Sequence, residues 1–203
     1  FRRVLFRSLV NWNNNFTWAK WVTPSRDLIS AFKQEGDEVR FKESIVYYDC
    51  NWSNYYPSDN YPFMYKCRSA NSSIIKYRYA DVLLLKAEAL IMQDTPDLEG
   101  AADIIDEVRD RAKLGALPTS VRSNKNVLLN ALLKERRLEL AFEGQRWFDL
   151  VRLDKVEEVM NAVYSKDSGR KAQIYTFDKN SYRLPIPQSV IDANDKIHQN
   201  PGY

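Results

Sequence analysis

The sequence predicts a mostly α-helical protein built from helix hairpins, with long aromatic loops and a few short strands. Three observations indicate this fold class. Two pairs of segments, at about 76–114 and about 125–161, carry apolar residues at helical spacing. Turn-forming residues such as Gly144 interrupt each pair. The 203-residue chain is also 44% hydrophobic, which is enough for a sizeable core.

The first segment of the chain is unlike the rest. Residues 1–8 are rich in arginine and share no pattern with the residues after them, so we expect a non-native leader of the kind a translated adapter gives. Residues 9–203 are then predicted to belong to one domain. Within them, residues 26–34 are predicted to form an amphipathic helix that Gly36 ends, and alternation over residues 40–49 predicts a strand.

An aromatic loop comes next at residues 50–73, where rings alternate with Asn, Ser and Pro. Aromatic side chains in a polar loop either pack onto the scaffold or face a ligand, and both interpretations stay open here. Sugar rings present apolar C–H faces that stack on indole and phenol rings, while Asn and Ser can bind their hydroxyls. The candidate ligand-binding residues are Trp12, Trp18, Trp21, Trp52, Tyr55 and Tyr56. Cys50 and Cys67 are either a disulfide or two thiols.

Two helix hairpins are predicted after the aromatic loop. Residues 76–93 and 98–113 are predicted to form the first pair, and residues 126–142 and 145–161 the second. The pairs begin about 48 residues apart, more than the roughly 34-residue tetratricopeptide period. We therefore predict irregular tetratricopeptide-like hairpins within an α-α superhelix, rather than a regular array.

The second hairpin carries carboxylates on its apolar stripe. Glu135 and Glu139 share that stripe with Leu128, Leu132 and Leu138. Burying an unpaired charge costs several kcal/mol, so each carboxylate needs a cationic partner. We predict a structural ion network with these members: Arg78, Glu88, Arg109, Glu135, Arg136, Glu139, Arg146 and Arg152.

Catalytic chemistry has little support in the sequence. The single histidine, His198, lies near the C-terminal end, and no Cys-x-x-Cys motif or Gly-rich phosphate loop is present. A helical glycoside hydrolase using Glu135 with Glu139, or Glu139 with Glu143, is the alternative. Nearby arginines should lower the pKa of these carboxyls and spoil a general acid. We therefore expect no enzyme activity, no catalytic residue, no cofactor and no metal site.

The charge pattern and the final residues complete the prediction. Basic residues are spread among acids with a net charge of +3, which argues against a nucleic-acid partner. Residues 173–177 are a candidate short strand. Pro185 and Pro187 predict an extended segment over residues 182–188, followed by a helical turn over residues 189–193.

Three blocks of this sequence resemble the C-terminal half of the RagB/SusD family. They are RYADVLLLKAEAL at residues 78–90, ERRLELAFEGQRWFDLVR at 135–152 and LPIPQSVIDANDKIHQNPGY at 184–203. PSRDLISAF and DEVRF, at residues 24–32 and 37–41, resemble a further segment of that family. The resemblance covers about residues 23–203.

The resemblance implies a function as well as a fold. Members are surface-exposed outer-membrane lipoproteins of Bacteroidota that bind glycans or other nutrients. They sit as a lid on a SusC-like TonB-dependent transporter and are not enzymes. The family's lipid anchor has no counterpart in the chain, so the resemblance implies a C-terminal part of a longer protein. No ligand-contacting residue carries over by motif. The alternative function is a tetratricopeptide-type protein-interaction module without a small-molecule ligand.

Overall fold

Helices dominate the computed structural model, which describes residues 22–66, 75–166 and 176–203. The chain divides into two units, residues 1–146 and residues 147–203. The predicted mostly helical fold class with a few short strands is confirmed. No helix in the described parts of the chain is long and apolar enough to span a membrane.

The first unit begins with helix α1 (Arg26–Glu35). The Ser25 hydroxyl caps its N-terminus by accepting the Leu28 N–H at 3.1 Å. Gly36 ends the helix in the left-handed region, at φ 67°, which glycine adopts without a Cβ clash. The helix predicted over residues 26–34 is therefore confirmed.

Helix α2 (Glu38–Ser44) is followed by strand β1 (Ile45–Tyr48), which pairs antiparallel with β2 (Tyr61–Met64). The strand predicted over residues 40–49 is thus wrong in its first half. Asp37 starts a helix there, because its carboxylate accepts the Arg40 N–H at 3.1 Å. The run of β-branched and aromatic residues that favours a strand begins only at Ile45.

The predicted first hairpin is helix α3 (Tyr79–Met92) with helix α4 (Leu98–Arg111). A short helix α5 (Thr119–Arg122), which the sequence did not predict, leads to helix α6 (Lys125–Glu139). Helices α3, α4 and α6 share one core, whose buried members include Leu84, Ala87, Ile91, Ala101, Ala102, Ile105, Leu128 and Leu132. The buried alanines of α3 and α4 allow the two helices to approach closely.

A second core joins the beginning of the unit to the end of α6. Phe32 and Ile45, from α1 and β1, pack with Leu138 and Ala141. This contact brings α2, which lies between α1 and β1, to the carboxylate-bearing end of α6.

The second predicted hairpin differs from the expectation. After α6, Phe142 and Gly144 take positive φ values of 66° and 80° and make a turn. Helix α7 (Gln145–Arg152) and helix α8 (Val156–Lys166) then replace the single helix predicted over residues 145–161. Asp154 has φ 53°, and the Lys155 N–H returns to the Leu150 carbonyl at 2.8 Å. This turn ends α7 without a glycine or proline, which is why the sequence pattern missed it.

The end of the second unit contains a 3₁₀ helix (Lys179–Tyr182) and helix α9 (Gln188–Asp192). The helical turn predicted over residues 189–193 is confirmed. Ile186 lies just before α9 and is bonded to Gln199, which lies after it. The Ile186 N–H donates to the Gln199 side-chain oxygen at 2.8 Å, and the Gln199 side-chain nitrogen donates to the Ile186 carbonyl at 2.9 Å. Most of the strand predicted over residues 173–177 lies outside the described residues.

Candidate functional site

Glu139, at the end of α6, is the centre of a buried group of ion pairs. Its side chain is 1% exposed. One carboxylate oxygen accepts from Arg78 at 2.5 Å and from Arg111, and the other accepts from Arg40 at 3.1 Å. Three guanidinium groups from three different segments therefore share one carboxylate.

Glu135 lies one helical turn earlier and is also buried. It accepts from Arg40 at 2.5 Å and from Arg109 at 3.3 Å, and Arg109 also pairs with Glu35 at 2.9 Å. Arg40 additionally donates its Nε to Asp37 at 2.5 Å. Arg40 thus ties the start of α2 to both carboxylates of α6.

A further layer closes the C-terminal end of α6. Lys66 and Arg78 both pair with Glu143, at 2.5 and 2.7 Å. The same two side chains donate to the Glu139 carbonyl, at 2.5 and 2.6 Å. That carbonyl has no partner within the helix, so these bonds satisfy it. We call the whole group the ion cluster: Glu35, Asp37, Arg40, Lys66, Arg78, Arg109, Arg111, Glu135, Glu139 and Glu143.

The two glutamates of α6 have opposite pKa shifts. Burial raises the pKa of Glu135, and the charges of Arg40 and Arg109 do not reverse this effect. Burial also acts to raise the pKa of Glu139, but the hydrogen bond and charge of Arg78 and the charge of Arg111 outweigh it, so the pKa is lowered. The expectation that arginines lower the carboxyl pKa therefore fails for Glu135, because desolvation is the larger effect there.

The structure brings four of the predicted network residues into the ion cluster: Arg78, Arg109, Glu135 and Glu139. Arg136 pairs instead with the buried Asp81 at 2.9 Å. Arg146 donates to the Leu133 carbonyl at 3.2 Å, Arg152 pairs with Asp149 at 2.8 Å in the second unit, and Glu88 is half-buried on α3.

Sequence reasoning missed Arg40, the most buried cation of the ion cluster. The sequence does contain a local signal for Arg40. Asp37 precedes it by three residues, which is the spacing of a helix-capping residue that also forms an ion pair. Lys66 and Arg111 had no comparable local signal, because their partners lie more than 25 residues away.

An open pocket of about 910 Å³ lies at the aromatic loop that joins β1 and β2. Arg26 and residues 50–58 line it. The Cys50 N–H donates to the Ser58 carbonyl at 2.6 Å and closes the base of this loop, and Cys50 is buried. The pocket is therefore formed by a closed loop, with Arg26 of α1 at its side.

Two of the candidate aromatic residues are held in place by the scaffold. The Arg26 guanidinium lies 4.0 Å from the ring centroid of Tyr55 and 4.7 Å from that of Tyr56, and it donates to the Tyr55 carbonyl. The Tyr56 hydroxyl donates to the Pro24 carbonyl at 2.9 Å, and its ring meets Tyr61 edge-on at 5.5 Å. These contacts leave both rings partly buried.

Trp52 differs from its neighbours, because it is 54% exposed. Its ring centroid lies 5.9 Å from that of the fully buried Phe63, so the indole is supported from within. Asn51 and Asn54 are exposed beside it, and Ser53 is half-buried. An exposed indole among amide and hydroxyl groups suits a ligand with both apolar faces and hydroxyls.

The remaining aromatic candidates, Trp12, Trp18 and Trp21, lie outside the described residues, as does Cys67. Among the residues that the structure describes, no group of His, Cys, Asp and Glu could hold a metal ion.

Residues 59–203 match the sequence model of the SusD family. This chain belongs to the SusD family. The SusD-like protein P2 of Formosa agariphila is 36% identical over 143 residues, which cover 67% of this chain and 27% of that protein. The chain thus spans little more than a quarter of that relative's length.

Solved structures agree with the SusD assignment. A SusD superfamily protein from Bacteroides vulgatus superposes with a TM-score of 0.66 at 22% identity, over 89% of this chain and 44% of that one. A protein described as a laminarin-binding SusD-like protein gives a TM-score of 0.56 at 28% identity, over 88% of this chain and 37% of that one. The first comparison supports the fold, and the second adds a sequence likeness.

Proposed function

We propose that this SusD-family protein binds carbohydrate at the outer-membrane surface and delivers it to a SusC-like TonB-dependent transporter. The observation that carries the proposal is the exposed, internally supported Trp52 at the open pocket. A structural relative at 28% identity is described as laminarin-binding, which supports an oligosaccharide as the ligand.

The pocket suits a sugar because its aromatic part is already ordered. Arg26 and the hydrogen bond to Pro24 hold Tyr55 and Tyr56, and Phe63 supports the indole of Trp52. A preorganised ring loses little conformational entropy when a ligand stacks on it. Asn51 and Asn54 supply donors and acceptors for hydroxyl groups, whereas the Ser53 hydroxyl is already bonded to the Tyr61 hydroxyl at 2.8 Å.

Binding without catalysis is part of the proposal. Arginine side chains occupy both carboxylate oxygens of Glu135 and of Glu139. Neither glutamate lines the aromatic pocket, so neither acts as an acid or base on a sugar held there.

Calorimetric titration of the protein with laminarin oligosaccharides and a panel of other glycans tests this function. Trp52→Ala should weaken the binding of the preferred glycan about tenfold, because one stacking contact contributes about 1–1.5 kcal/mol. Tyr77→Ala is the matched control, because Tyr77 is an exposed aromatic residue that does not line the pocket. Equal affinity in the Trp52→Ala and wild-type proteins, or no binding across the panel, would refute the proposal.

A protein-interaction module is the second candidate function, and one observation favours it. Tyr79, Val82, Leu85 and Met92 are exposed apolar residues spaced along one side of α3. If the chain is such a module, calorimetric titration with the glycan panel should give no binding, and Val82→Asp should weaken co-purification with a SusC-like transporter. If Val82→Asp has no effect on co-purification, this face is not the docking surface.

A further inference from the structure

A second cleft, of about 310 Å³, lies beside the ion cluster in the first unit. The charged residues that line it within the described ranges are Arg40, Glu43, Lys66, Arg78, Arg111, Glu139 and Glu143. Among the residues that the structure describes, the cleft shares no lining residue with the aromatic pocket. It is therefore a separate place at which a ligand could be held.

One donor in this cleft lacks an acceptor. Arg40 uses Nε and Nη1 for Asp37, Glu135 and Glu139, but its Nη2 is buried and has no hydrogen-bond partner among the described residues. Only 9% of the Arg40 side chain is exposed. A buried guanidinium N–H without an acceptor costs free energy, so an incoming oxygen atom would be stabilised there.

The cleft presents guanidinium and ammonium groups to a ligand. Among the described lining residues, Arg40, Lys66, Arg78 and Arg111 are cations, and Glu43, Glu139 and Glu143 are carboxylates. Glu139 already serves three of the guanidinium groups. Arg111 is 63% exposed, so its guanidinium can reach a ligand that enters from solvent.

We propose that this cleft binds an oxyanion, either a carboxylate or a sulfate group, with Arg40 and Arg111 as the principal donors. Guanidinium groups recognise both anions through paired N–H donors. Lys66 adds a third cation, and burial lowers the pKa of its ammonium even though Glu143 acts in the opposite direction. A volume of about 310 Å³ accommodates a free sulfate or the acidic group of a single sugar acid.

The proposal does not depend on carbohydrate binding at Trp52. Calorimetric titration with sodium sulfate, sodium glucuronate and neutral glucose, at ionic strength held constant with sodium chloride, tests it. Saturable binding of sulfate identifies the sulfate group as the ligand, and saturable binding of glucuronate without glucose binding identifies the carboxylate. Binding of neither anion, or glucuronate binding that glucose matches in the absence of sulfate binding, would overturn the proposal.

Variants localise the site. Arg111→Gln should lower the affinity for the anion at least tenfold, while Arg78 and Arg40 still pair with Glu139. Lys42→Gln is the matched control, because Lys42 is exposed on α2 and pairs only with the exposed Glu38 among the described residues. Trp52→Ala should also leave anion binding unchanged. If Arg111→Gln binds the anion as tightly as Lys42→Gln, the anion lies elsewhere and the proposal fails.

Discussion

Glu139 is the carboxylate on which three arginines converge. Arg40 comes from α2, Arg78 from the residue before α3, and Arg111 from the last turn of α4. Arg40 and Arg78 have lost most of their contact with water, so their pairing with Glu139 compensates for desolvation. The fold therefore depends more on this carboxylate than on any exposed ion pair.

Replacing Glu139 tests that dependence. Glu139→Ala should lower the free energy of unfolding by about 3 kcal/mol, because it leaves the buried Arg40 and Arg78 short of an acceptor. Chemical denaturation followed by circular dichroism measures the change. The control is Glu38→Ala, which removes only an exposed pair with Lys42 and should leave stability nearly unchanged. A Glu139→Ala protein as stable as Glu38→Ala would contradict the role assigned to the ion cluster.

The opposite pKa shifts of the two glutamates predict opposite pH dependences. The pKa of Glu139 in the folded state lies below the ordinary value of 4.5, so its contribution to stability is present above pH 4.5 and is lost as the pH falls through the folded value. The pKa of Glu135 is raised, so its contribution is present below pH 4.5 and is lost as the pH rises through its folded value.

Glu139→Gln and Glu135→Gln separate these effects. Below pH 4.5, the stability advantage of wild type over Glu139→Gln should shrink. The free energy of unfolding of wild type relative to Glu135→Gln should instead fall as the pH rises above 4.5. Urea unfolding at pH values from about 3 to about 7 measures both differences. Parallel pH profiles for the two variants would show that the two sites do not differ as described.

At the residue scale, the sequence predicted which glutamates are buried but not all of their partners. Glu135 and Glu139 share a stripe with leucines, and this local pattern is visible in the chain. Arg40 approaches them from 95 and 99 positions away, a distance that no periodicity encodes. The composition of the loop predicts a ligand contact at Trp52, but only the structure distinguishes its exposed ring from the partly buried rings of Tyr55 and Tyr56.

At the scale of the element, the end of α1 was predictable because a glycine marks it, and the end of α4 was not. Helices α1 and α4 end with the same pair of hydrogen bonds. After α1, the N–H groups of Gly36 and Asp37 donate to the carbonyls of Lys33 and Phe32. After α4, the N–H groups of Lys113 and Leu114 donate to the carbonyls of Asp110 and Arg109. Gly36 occupies the left-handed position after α1, whereas Lys113 occupies it after α4, at φ 59°. Lysine there gave no signal in the sequence, so the predicted end at residue 113 was two residues late.

The end of α4 is therefore a place where the protein can be stabilised. Lys113→Gly should raise the free energy of unfolding by about 1 kcal/mol, because glycine removes the strain of a side chain in the left-handed region. Lys113→Ala removes the same exposed side chain but keeps the Cβ atom, so it should give no such gain. Thermal unfolding of both variants measures the difference. Equal midpoints for the two variants would show that the backbone there carries no strain.

At the scale of the whole molecule, the helical fold class could be predicted because it depends on local periodicity. The ends of α3, α4 and α6 lie within about three residues of the ends that the apolar repeats predict. The packing of α1 and β1 against the end of α6 could not be predicted, because Phe32 and Leu138 lie far apart along the chain. Long-range contacts of this kind also build the second cleft and the ion cluster.

The long sequence separation between Arg40 and Glu135 has a kinetic consequence. Helices α3 and α4 are neighbours in the chain and can pair early, whereas Arg40 must close a loop of 95 residues to meet Glu135. We expect that contact to form after the main barrier to folding. Arg40→Lys should therefore speed unfolding and leave the refolding rate almost unchanged, which stopped-flow measurements in urea would reveal. A slower refolding limb would place Arg40 in the folding nucleus instead. With the expected result, this ion pair sets how long the native state lasts rather than how fast it is reached.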